Sequence, residues 1–411
     1  MANTPHLHSA AWVVPVTAPP IKNGAVAVES EKIVAVAPLE ALKNRYPGAD
    51  IVHYEGASLT PALINAHIHL ELSHLGVLSA TAHQGDFIQW VSRLVSLRAQ
   101  LGASGPEVKQ AAAEICLRQY ADGVSVLADI GNTNVALGLL GIFPGHLLAF
   151  REYLGMTEAS LAKNKERLVL EEDIRLCSGH APYSSHPALL TALKKRARKL
   201  GHIFPIHTAE HLAELEMLRH GRGPMVDFIH KRSGENLVFQ AAVGPDEGSI
   251  HYLYRLGLLD AQTLCIHGIH VSDEEIRIMA GTGTKVCLCP GSNRFLGVGT
   301  APVQRYLKHG MLPALGTDSL ASNPELSLWR EMTLLAGEAN APAASVLFAM
   351  ATMGGAAALG LDEHLGSLEA GKVADILVVP LEKPATSADE LMCMLVNRQS
   401  STLHPVRRIN L

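Results

Sequence analysis

Two histidines, His67 and His69, stand two residues apart directly after a short apolar stretch. In a β-strand, side chains two residues apart point to the same face. Both imidazoles can therefore reach one metal ion from a rigid support, and neutral imidazole is a common protein ligand for zinc. A polar strand edge without any ion is the alternative. The spacing favours a metal site whose other ligands lie far downstream.

Two downstream residues extend this pair to a ligand set of His67, His69, His207 and Asp318. His207 and Asp318 each come soon after a short apolar run, as the first pair does. Three imidazoles and one carboxylate leave an open position for water on a catalytic zinc or ferrous ion. We therefore expect one divalent metal ion per subunit, with zinc ahead of iron.

Two acid–base groups accompany the predicted ligands. Glu210 lies three residues after His207, and His267 follows a further apolar run. A carboxyl group can give and take a proton, whereas an imidazole can hydrogen-bond to an oxygen at the metal. We assign catalytic roles to Glu210, His267 and Asp318, with His267 beside the metal rather than on it. His270, in the same segment as His267, is expected to have a structural or supporting role.

Eight short apolar runs alternate with longer helix-like stretches through the middle of the chain. The runs comprise residues 62–66, 124–130, 146–150, 174–178, 203–206, 263–266, 285–288 and 311–315. Alternating strand and helix favours parallel pairing, and eight repeats favour a (β/α)8 barrel of the TIM type. Polar side chains follow each run, and in barrel enzymes the carboxyl ends of the strands form the active-site face. The predicted ligands all lie at such strand ends.

Both ends of the chain are rich in short strand-like segments. Residues 25–29 and 32–36 form an apparent hairpin, and the segment 365–380 has a similar character. Neither end has enough apolar residues to form a core alone, so we expect the two to pair. The predicted organisation is a small β-sandwich domain from residues 1–59 plus 362–411 and a catalytic barrel from residues 60–361.

The composition of the chain favours a small-molecule ligand over nucleic acid or a membrane. The 411 residues are 48% hydrophobic and carry a net charge of −5, without the basic patch that nucleic acid requires. No signal peptide and no apolar run of membrane-spanning length is evident. Cys287 and Cys289 sit in an apolar run, so we interpret them as buried strand residues. These features favour a cytoplasmic protein that binds a small molecule, with a homodimer as the default assembly.

The ordered set of motifs resembles the amidohydrolase superfamily, specifically its mononuclear nucleobase and nucleoside deaminase branch. The resemblance spans nearly the whole chain, and each motif is weak alone. The motifs are Pro61-x-x-Ile-Asn-Ala-His67-x-His69, His180-Ala-Pro-Tyr183, His207-x-x-Glu210, His267-Gly-x-His270, Ser292-Asn293-x-x-Leu296-Gly, Gly316-Thr-Asp318-x-x-x-Ser322-Asn323 and Gly371-Lys-x-Ala-Asp375. Two-metal members often carry a modified lysine at the fourth strand end, and residues 177–183 contain no lysine. The resemblance therefore implies one metal.

Two groups within this branch are similar to the chain in different motifs. His180-x-Pro-Tyr183 and the segment 321–323 resemble S-adenosylhomocysteine and methylthioadenosine deaminases, in which the positions of His180 and Ser322 touch the purine nucleoside. The segment 69–73, His-Leu-Glu-Leu-Ser, looks more like aminodeoxyfutalosine deaminases of the menaquinone pathway. That substrate is also an adenine nucleoside, with a benzoate in its tail. We rank it first.

The resemblance implies hydrolytic deamination at C6 of the purine, with hydroxide formed at the metal as nucleophile and ammonia as product. Glu210 would protonate N1 of the ring, while His267 and Asp318 orient the attacking water. One alternative is a hydrolase of cyclic amides, imides or triazines on the same scaffold. A non-catalytic binding protein with a structural metal is another. The position of Glu210 favours deamination, because an amidine gains from protonation of its ring nitrogen.

Three further residues are candidates for contact with the substrate. Trp90, with Phe87 beside it, could form an aromatic wall of the cavity, although packing within a helix is as plausible. Arg151 could bind a carboxylate on the substrate tail, since guanidinium groups bind carboxylates bidentately. It could equally form a salt bridge with neighbouring acids. Glu71 could meet ribose hydroxyls or the tail, or it could only cap a loop.

Overall fold

A computed structural model describes residues 4–80, 86–235, 237–398 and 406–409. The strands are β1 (His6–Val13), β2 (Ile21–Lys22), β3 (Gly24–Glu29), β4 (Lys32–Pro38), β5 (Ile51–Pro61), β6 (Leu63–Ile68), β7 (Val124–Gly131), β8 (His146–Tyr153), β9 (Leu176–Gly179), β10 (Phe204–Thr208), β11 (Thr263–His267), β12 (Lys285–Leu288), β13 (Ala314–Leu315), β14 (Ile376–Pro380) and β15 (Arg407–Arg408). The α-helices are α1 (Leu39–Arg45), α2 (Phe87–Leu101), α3 (Pro106–Ala121), α4 (Glu158–Val169), α5 (Pro187–Leu200), α6 (Leu212–His220), α7 (Pro224–Ser233), α8 (Ser249–Arg255), α9 (Asp273–Thr282), α10 (Pro290–Leu296), α11 (Val303–Lys308), α12 (Leu328–Ala336), α13 (Ala344–Ala349), α14 (Gly355–Ala358) and α15 (Ala388–Val396). Two 3₁₀ segments, Leu70–Leu78 and Ala136–Leu139, and a π-helical turn, Met350–Gly354, complete the set.

The two ends of the chain meet in one seven-stranded sheet, in the order β15-β14-β5-β1-β3-β4, with β2 paired to β1. Most of its pairs are antiparallel, whereas β1 and β5 run parallel. Each face covers its own apolar cluster, one around Leu59 and Ile376 and the other around Leu7 and Leu42. The expected pairing of both termini is therefore present as one continuous hydrogen-bonded sheet. The division of the chain at residues 59/60 and 361/362 stays a prediction.

The middle of the chain forms two parallel four-stranded sheets, β6-β7-β8-β9 and β10-β11-β12-β13. Backbone hydrogen bonds join them at both seams. The His207 N–H donates to the carbonyl of His180 at 2.9 Å, and the N–H groups of Thr317 and Asp318 donate to the carbonyl of His67 at 3.0 and 3.1 Å. The eight strands thus follow one another around a barrel, as the eight apolar runs predicted.

The eight barrel strands coincide with the eight predicted runs, apart from their ends. The largest difference is in the last run, 311–315, of which only Ala314–Leu315 is a strand. Pro313 immediately precedes it and has no N–H to donate to a neighbouring strand, which accounts for the short pairing. The helices between strands begin and end at expected signals. For example, α5 begins with Pro187 in its first turn and is followed by Gly201, whose φ of 71° is left-handed.

The interior of the barrel is apolar, and its carboxyl-terminal rim is polar. Cys287, in β12, and Cys289, directly after it, are buried as predicted, and neither forms a disulfide. Across the described residues, no helix combines the length and hydropathy that a bilayer crossing demands. The polar rim is therefore the part of the barrel where chemistry is to be sought.

Candidate active site

The four predicted ligands converge at the carboxyl-terminal rim of the barrel. His67 is in β6, His69 follows it, His207 is in β10, and Asp318 comes three residues after β13. The Nε2 atoms of His67 and His69 each lie 3.7 Å from Oδ1 of Asp318. Nε2 of His69 lies 3.2 Å from Nε2 of His207. Residues separated by up to 251 positions in sequence thus form one compact cluster.

The hydrogen bonds of these histidines fix which nitrogen faces the centre. Nδ1 of His69 donates to the carbonyl of Ile130 at 2.7 Å, and Nδ1 of His207 donates to the carbonyl of His180 at 2.9 Å. Because a carbonyl can only accept, both Nδ1 atoms carry the proton of the neutral ring. When both rings are neutral, the two Nε2 atoms point lone pairs at each other, an arrangement that repels unless a cation lies between them. The Asp318 carboxylate, acting against burial, raises the pKa of His69, which shows that this position favours positive charge.

His67 gives independent support for a cation. Its ring is fully buried, and neither Nδ1 nor Nε2 has a hydrogen-bond partner in the described structure. Burial lowers the pKa of His67 to about 4 and also lowers the pKa of His207, so both rings are neutral near pH 7. Neutral imidazoles beside a carboxylate are the donor set of a zinc or ferrous site. The residues present therefore fit one divalent metal ion.

The strand ends that carry this cluster have unusual backbone conformations. Ala209, His267 and Asp318 have φ values of 55°, 73° and 58°, in the left-handed region that L-residues rarely adopt. Neighbouring groups compensate this strain. Ser292 Oγ donates to Oδ2 of Asp318 at 2.6 Å, which leaves Oδ1 directed at the histidines. Glu214 accepts a hydrogen bond from the N–H of Ala209 at 3.0 Å. The strained turns thus aim side chains that a regular strand would point elsewhere.

Glu210 and His267 form an acid–base pair next to the cluster. Oε1 of Glu210 lies 3.6 Å from Nε2 of His267. Nδ1 of His267 donates to Oδ1 of Asn293 at 3.0 Å, so Nε2 of the neutral ring is an acceptor facing Glu210. Burial raises the pKa of Glu210, which favours the protonated carboxyl. The pair is thus arranged to hold a proton beside the metal cluster.

A cavity of about 470 Å³ opens onto this cluster. Three of the four ligands, His69, His207 and Asp318, line its deep end together with Glu210 and His267. Apolar side chains of α2 and α7, among them Trp90 and Phe228, line its outer part. The volume is in the range of small-molecule sites. One end of the cavity is therefore polar and reactive, and the other is apolar.

Several residues predicted to contact substrate do line this cavity. His180 lies on its wall, with Nδ1 2.5 Å from Oγ of Ser184. Phe87 and Trp90 both line it, with ring centroids 6.3 Å apart, as an aromatic wall requires. Glu71 also reaches the cavity, but its carboxylate already accepts hydrogen bonds from Arg98 at 2.5 Å and from Thr133 Oγ1 at 2.6 Å. These contacts leave Glu71 little capacity for a substrate hydroxyl.

Two predicted contacts do not fit the geometry. Arg151 lies outside the cavity lining, and its Nε pairs with Oε1 of Glu171 at 3.2 Å. This is the salt bridge that the sequence left open as the alternative to a substrate clamp. Ser322 is fully buried behind Asp318, where it lies 2.9 Å from Oγ of Ser292, so it does not reach the cavity either. Ser319 lines the cavity in its place.

Sequence reasoning missed Glu152, which belongs to the same wall. It is 5% exposed, its Oε1 has no hydrogen-bond partner among the described residues, and this atom lies 3.7 Å from Nδ1 of His207. Asn132 donates to the other oxygen, Oε2, at 2.8 Å. Glu152 follows Arg151 at the end of the third barrel strand. A signal was thus available, because adjacent strand residues point to opposite faces and only one of the two can face the cavity.

Comparison with known proteins agrees with this geometry. The model of the amidohydrolase family matches residues 58–399, and the chain belongs to that family. It is accordingly a hydrolase that acts on carbon–nitrogen bonds. A model of the bacterial imidazolonepropionase-like composite domain matches residues 24–49, within the terminal sheet.

Two relatives that match over most of the chain are named as nucleoside deaminases. The 5-methylthioadenosine/S-adenosylhomocysteine deaminase of Moorella thermoacetica is 28% identical over 391 residues, covering 90% of this chain and 85% of the relative. The aminodeoxyfutalosine deaminase of Nitratiruptor sp. is 29% identical over 401 residues, covering 90% of each. The structure of Helicobacter pylori aminofutalosine deaminase in complex with methylthio-coformycin superposes with a TM-score of 0.82 at 24% identity, covering 98% of this chain and all of that one. The predicted family and barrel class are confirmed.

Proposed function

We propose that this protein is a metal-dependent hydrolytic deaminase of an adenine nucleoside, with aminodeoxyfutalosine as the best candidate substrate. The observation that carries the proposal is the placement of Glu210 against His267, 3.6 Å apart, beside a cluster of lone pairs that requires a cation. A proton donor at this place serves an aromatic amidine, because protonation of its ring nitrogen makes the neighbouring carbon electrophilic. A simple amide instead needs its leaving nitrogen protonated.

The chain's own residues then have distinct tasks. Glu210 donates its proton to N1 of the adenine ring, and burial favours the protonated form it needs. Nε2 of His267, kept as an acceptor by Asn293, hydrogen-bonds to the attacking water. Asp318, oriented by Ser292, takes up the proton that water releases. Glu210 or Asp318 then delivers a proton to the amino group at C6. The amino group leaves as ammonia.

His67, His69, His207 and Asp318 would hold the metal ion in this proposal. When bound, a divalent ion supplies Lewis acidity that brings the pKa of a coordinated water close to neutrality. Zinc is the favoured ion, since three imidazoles and a carboxylate suit it well, and ferrous iron is the second candidate.

The substrate preference rests on the cavity and on two relatives. The segment from His69 to Ser73 resembles aminodeoxyfutalosine deaminases, and the Nitratiruptor relative bears that name. The outer cavity is apolar and aromatic around Phe87 and Trp90, which suits a benzoate-bearing tail. A place in menaquinone synthesis, a cytoplasmic location and a homodimeric assembly accompany this proposal. S-Adenosylhomocysteine or methylthioadenosine is the second candidate, because the Moorella relative is named for both.

Ammonia release from a panel of nucleosides tests the substrate class. The panel contains adenosine, methylthioadenosine, S-adenosylhomocysteine, aminodeoxyfutalosine, guanine and cytosine. We expect the highest kcat/KM with aminodeoxyfutalosine and lower values with the other adenine nucleosides. Turnover of guanine or cytosine alone would overturn the adenine assignment.

Removal of the metal tests the site itself. Dialysis against a chelator should abolish deamination, and addition of zinc should restore it together with about one bound ion per chain. The thermal midpoint should fall in parallel, because the lone pairs of His69 and His207 would face each other without compensation. Full activity in metal-free protein would remove the proposed site.

A further inference from the structure

The cavity side of α7 forms a continuous stripe that runs from the interior to solvent. Met225, Phe228, Ile229 and Arg232 all line the cavity, and their spacing of three, four and seven residues places them on one face of the helix. Met225 is 1% exposed, the two middle residues are half-buried, and Arg232 is exposed. With a rise of 1.5 Å per residue, the stripe is about 10 Å long. It therefore ends in a positive charge at the cavity mouth.

Arg232 differs from the other cationic side chain of the cavity wall. Arg98, at the corresponding end of α2, is bound to the carboxylate of Glu71 at 2.5 Å and is thereby neutralised. The side chain of Arg232 forms no ion pair or hydrogen bond with any residue in the described ranges of the chain. Among the lysine and arginine residues in the described lining, it alone has its charge available for a ligand.

We propose that Arg232 binds a carboxylate at the far end of the substrate tail, after an apolar spacer packed along α2 and α7. The proposal rests on the proposed deaminase function, which fixes the other end of the substrate at Glu210 and the metal cluster. A nucleoside whose reactive ring lies deep in the cavity must direct its 5′ substituent towards the mouth. The guanidinium group there offers paired N–H donors that match a carboxylate in geometry and charge.

Two kinds of tail present this chemistry, an aromatic acid and an α-amino acid. Glu235, also at the mouth, discriminates between them, since its carboxylate would attract the ammonium group of an amino acid and repel a second carboxylate. The apolar stripe that precedes Arg232 favours the aromatic acid, because Phe228 and Ile229 offer no hydrogen-bond acceptor for an ammonium group. Tails without a charge gain nothing from Arg232.

A simpler role for Arg232 is to complement the helix dipole at the carboxyl end of α7, where Lys231 also lies. The two roles are separable, because Lys231 is exposed and does not line the cavity. Replacement of either residue removes one positive charge from the same helical turn. Only the loss of Arg232 removes a charge that a substrate can reach.

The test compares Arg232→Met with Lys231→Met in the metal-loaded full-length protein. Steady-state kinetics are measured with aminodeoxyfutalosine, S-adenosylhomocysteine, methylthioadenosine and adenosine. We expect Arg232→Met to raise KM for the carboxylate-bearing substrates about two- to fivefold, the upper part of the range of an exposed ion pair, with kcat little changed. KM for methylthioadenosine and adenosine should not change. Arg232→Lys should recover part of the loss, and Lys231→Met should behave as wild type.

A second readout uses ionic strength. Salt should raise KM of the wild type for carboxylate-bearing substrates, and Arg232→Met should lose this dependence. Glu235→Gln then identifies the tail, since it improves binding of an aromatic acid and weakens binding of an amino acid. Equal effects of Arg232→Met on charged and uncharged tails would overturn the inference while leaving the deaminase intact. Failure of every adenine nucleoside to release ammonia would overturn the proposed function, and the inference with it.

Discussion

The deep end of the cavity and its mouth are constructed in opposite ways. The deep end is assembled from the ends of barrel strands, its side chains are buried, and neighbours such as Ser292 and Asn293 fix their orientation. The mouth is lined mainly by one face of each of two helices, α2 and α7, with apolar side chains, the unpaired cation of Arg232 and the carboxylate of Glu235. Strand ends are held by the barrel on both sides, whereas the helices pack on it from one side only.

This difference separates the reaction from the choice of substrate. Proton transfer requires groups at fixed distances, such as the 3.6 Å between Glu210 and His267. Recognition of a tail needs matching polarity and length, which side chains on a helix face supply with less exact placement. Changes at the deep end should therefore act mainly on kcat, and changes at the mouth mainly on KM.

The largest expected effect compares two carboxylates, one at each end. Glu210→Gln removes the proton donor and should lower kcat by about 10²- to 10⁴-fold, the usual contribution of general acid–base catalysis. Metal content, measured by atomic absorption, should not change. Glu235→Gln, the same substitution at the mouth, should leave kcat near the wild-type value. A near-normal kcat for Glu210→Gln would contradict the assignment of proton transfer to the deep end of the cavity.

A smaller effect is expected from the group that orients Asp318. Ser292→Ala removes the hydrogen bond to Oδ2 of Asp318 and should weaken metal binding or lower kcat about 10- to 100-fold, as loss of a supporting partner does at metal sites. Competition with a chelator measures the metal affinity. Ser322→Ala is the matched control, since Ser322 contacts Ser292 but not the cavity. A rise in KM for Ser322→Ala would instead support the contact between Ser322 and the substrate that the sequence predicted.

The smallest effect on turnover, but a measurable one on stability, concerns Glu331 behind the deep end. This buried carboxyl accepts hydrogen bonds from the Gly291 N–H at 2.6 Å and from Asn323 at 2.8 Å, and burial raises its pKa to about 7. A folded pKa above the unfolded value means that the folded protein binds more protons. The contribution of the protonated Glu331 carboxyl to the free energy of unfolding is therefore fully present below the unfolded pKa. It is lost as the pH rises through about 7.

Glu331→Gln should flatten this dependence. The free energy of unfolding of the wild type, measured with denaturant between acid and mildly alkaline pH, should fall by up to about 3 kcal/mol more than that of the variant. The exposed Glu363→Gln serves as the control and should follow the wild type. Parallel curves for Glu331→Gln and the wild type would show that this carboxyl does not hold a proton in the fold.

Much of the barrel could be predicted from the sequence because its strands are short apolar runs with polar ends. The same regularity located His67, His207 and Asp318, since residues at the ends of parallel strands must share one rim. The terminal sheet could be predicted in outline, although its strand order depends on pairing between residues more than 300 positions apart, such as Ile376 with Pro61.

The rest of the site depends on contacts that no local pattern encodes. Whether Arg151 faces substrate or Glu171 is decided by the packing of the segment after α4, twenty residues further along the chain. The sequence left Glu71 free to bind substrate, because nothing local shows that Arg98, on the following helix α2, pairs with its carboxylate. Arg232 did not stand out at all, because a charged residue in the last turn of a helix is common.

A metal ion at the predicted site would also stabilise the two junctions between the barrel sheets. The sheet β6–β9 supplies His67, and the sheet β10–β13 supplies His207. A cation bound by both residues would therefore cross-link the two sheets. Backbone amides along the seams, such as those of His207 and Thr317, should then exchange with deuterium faster once the ion is withdrawn. A chain severed in the loop between α5 and β10 should reassemble from its two pieces more readily when zinc is present.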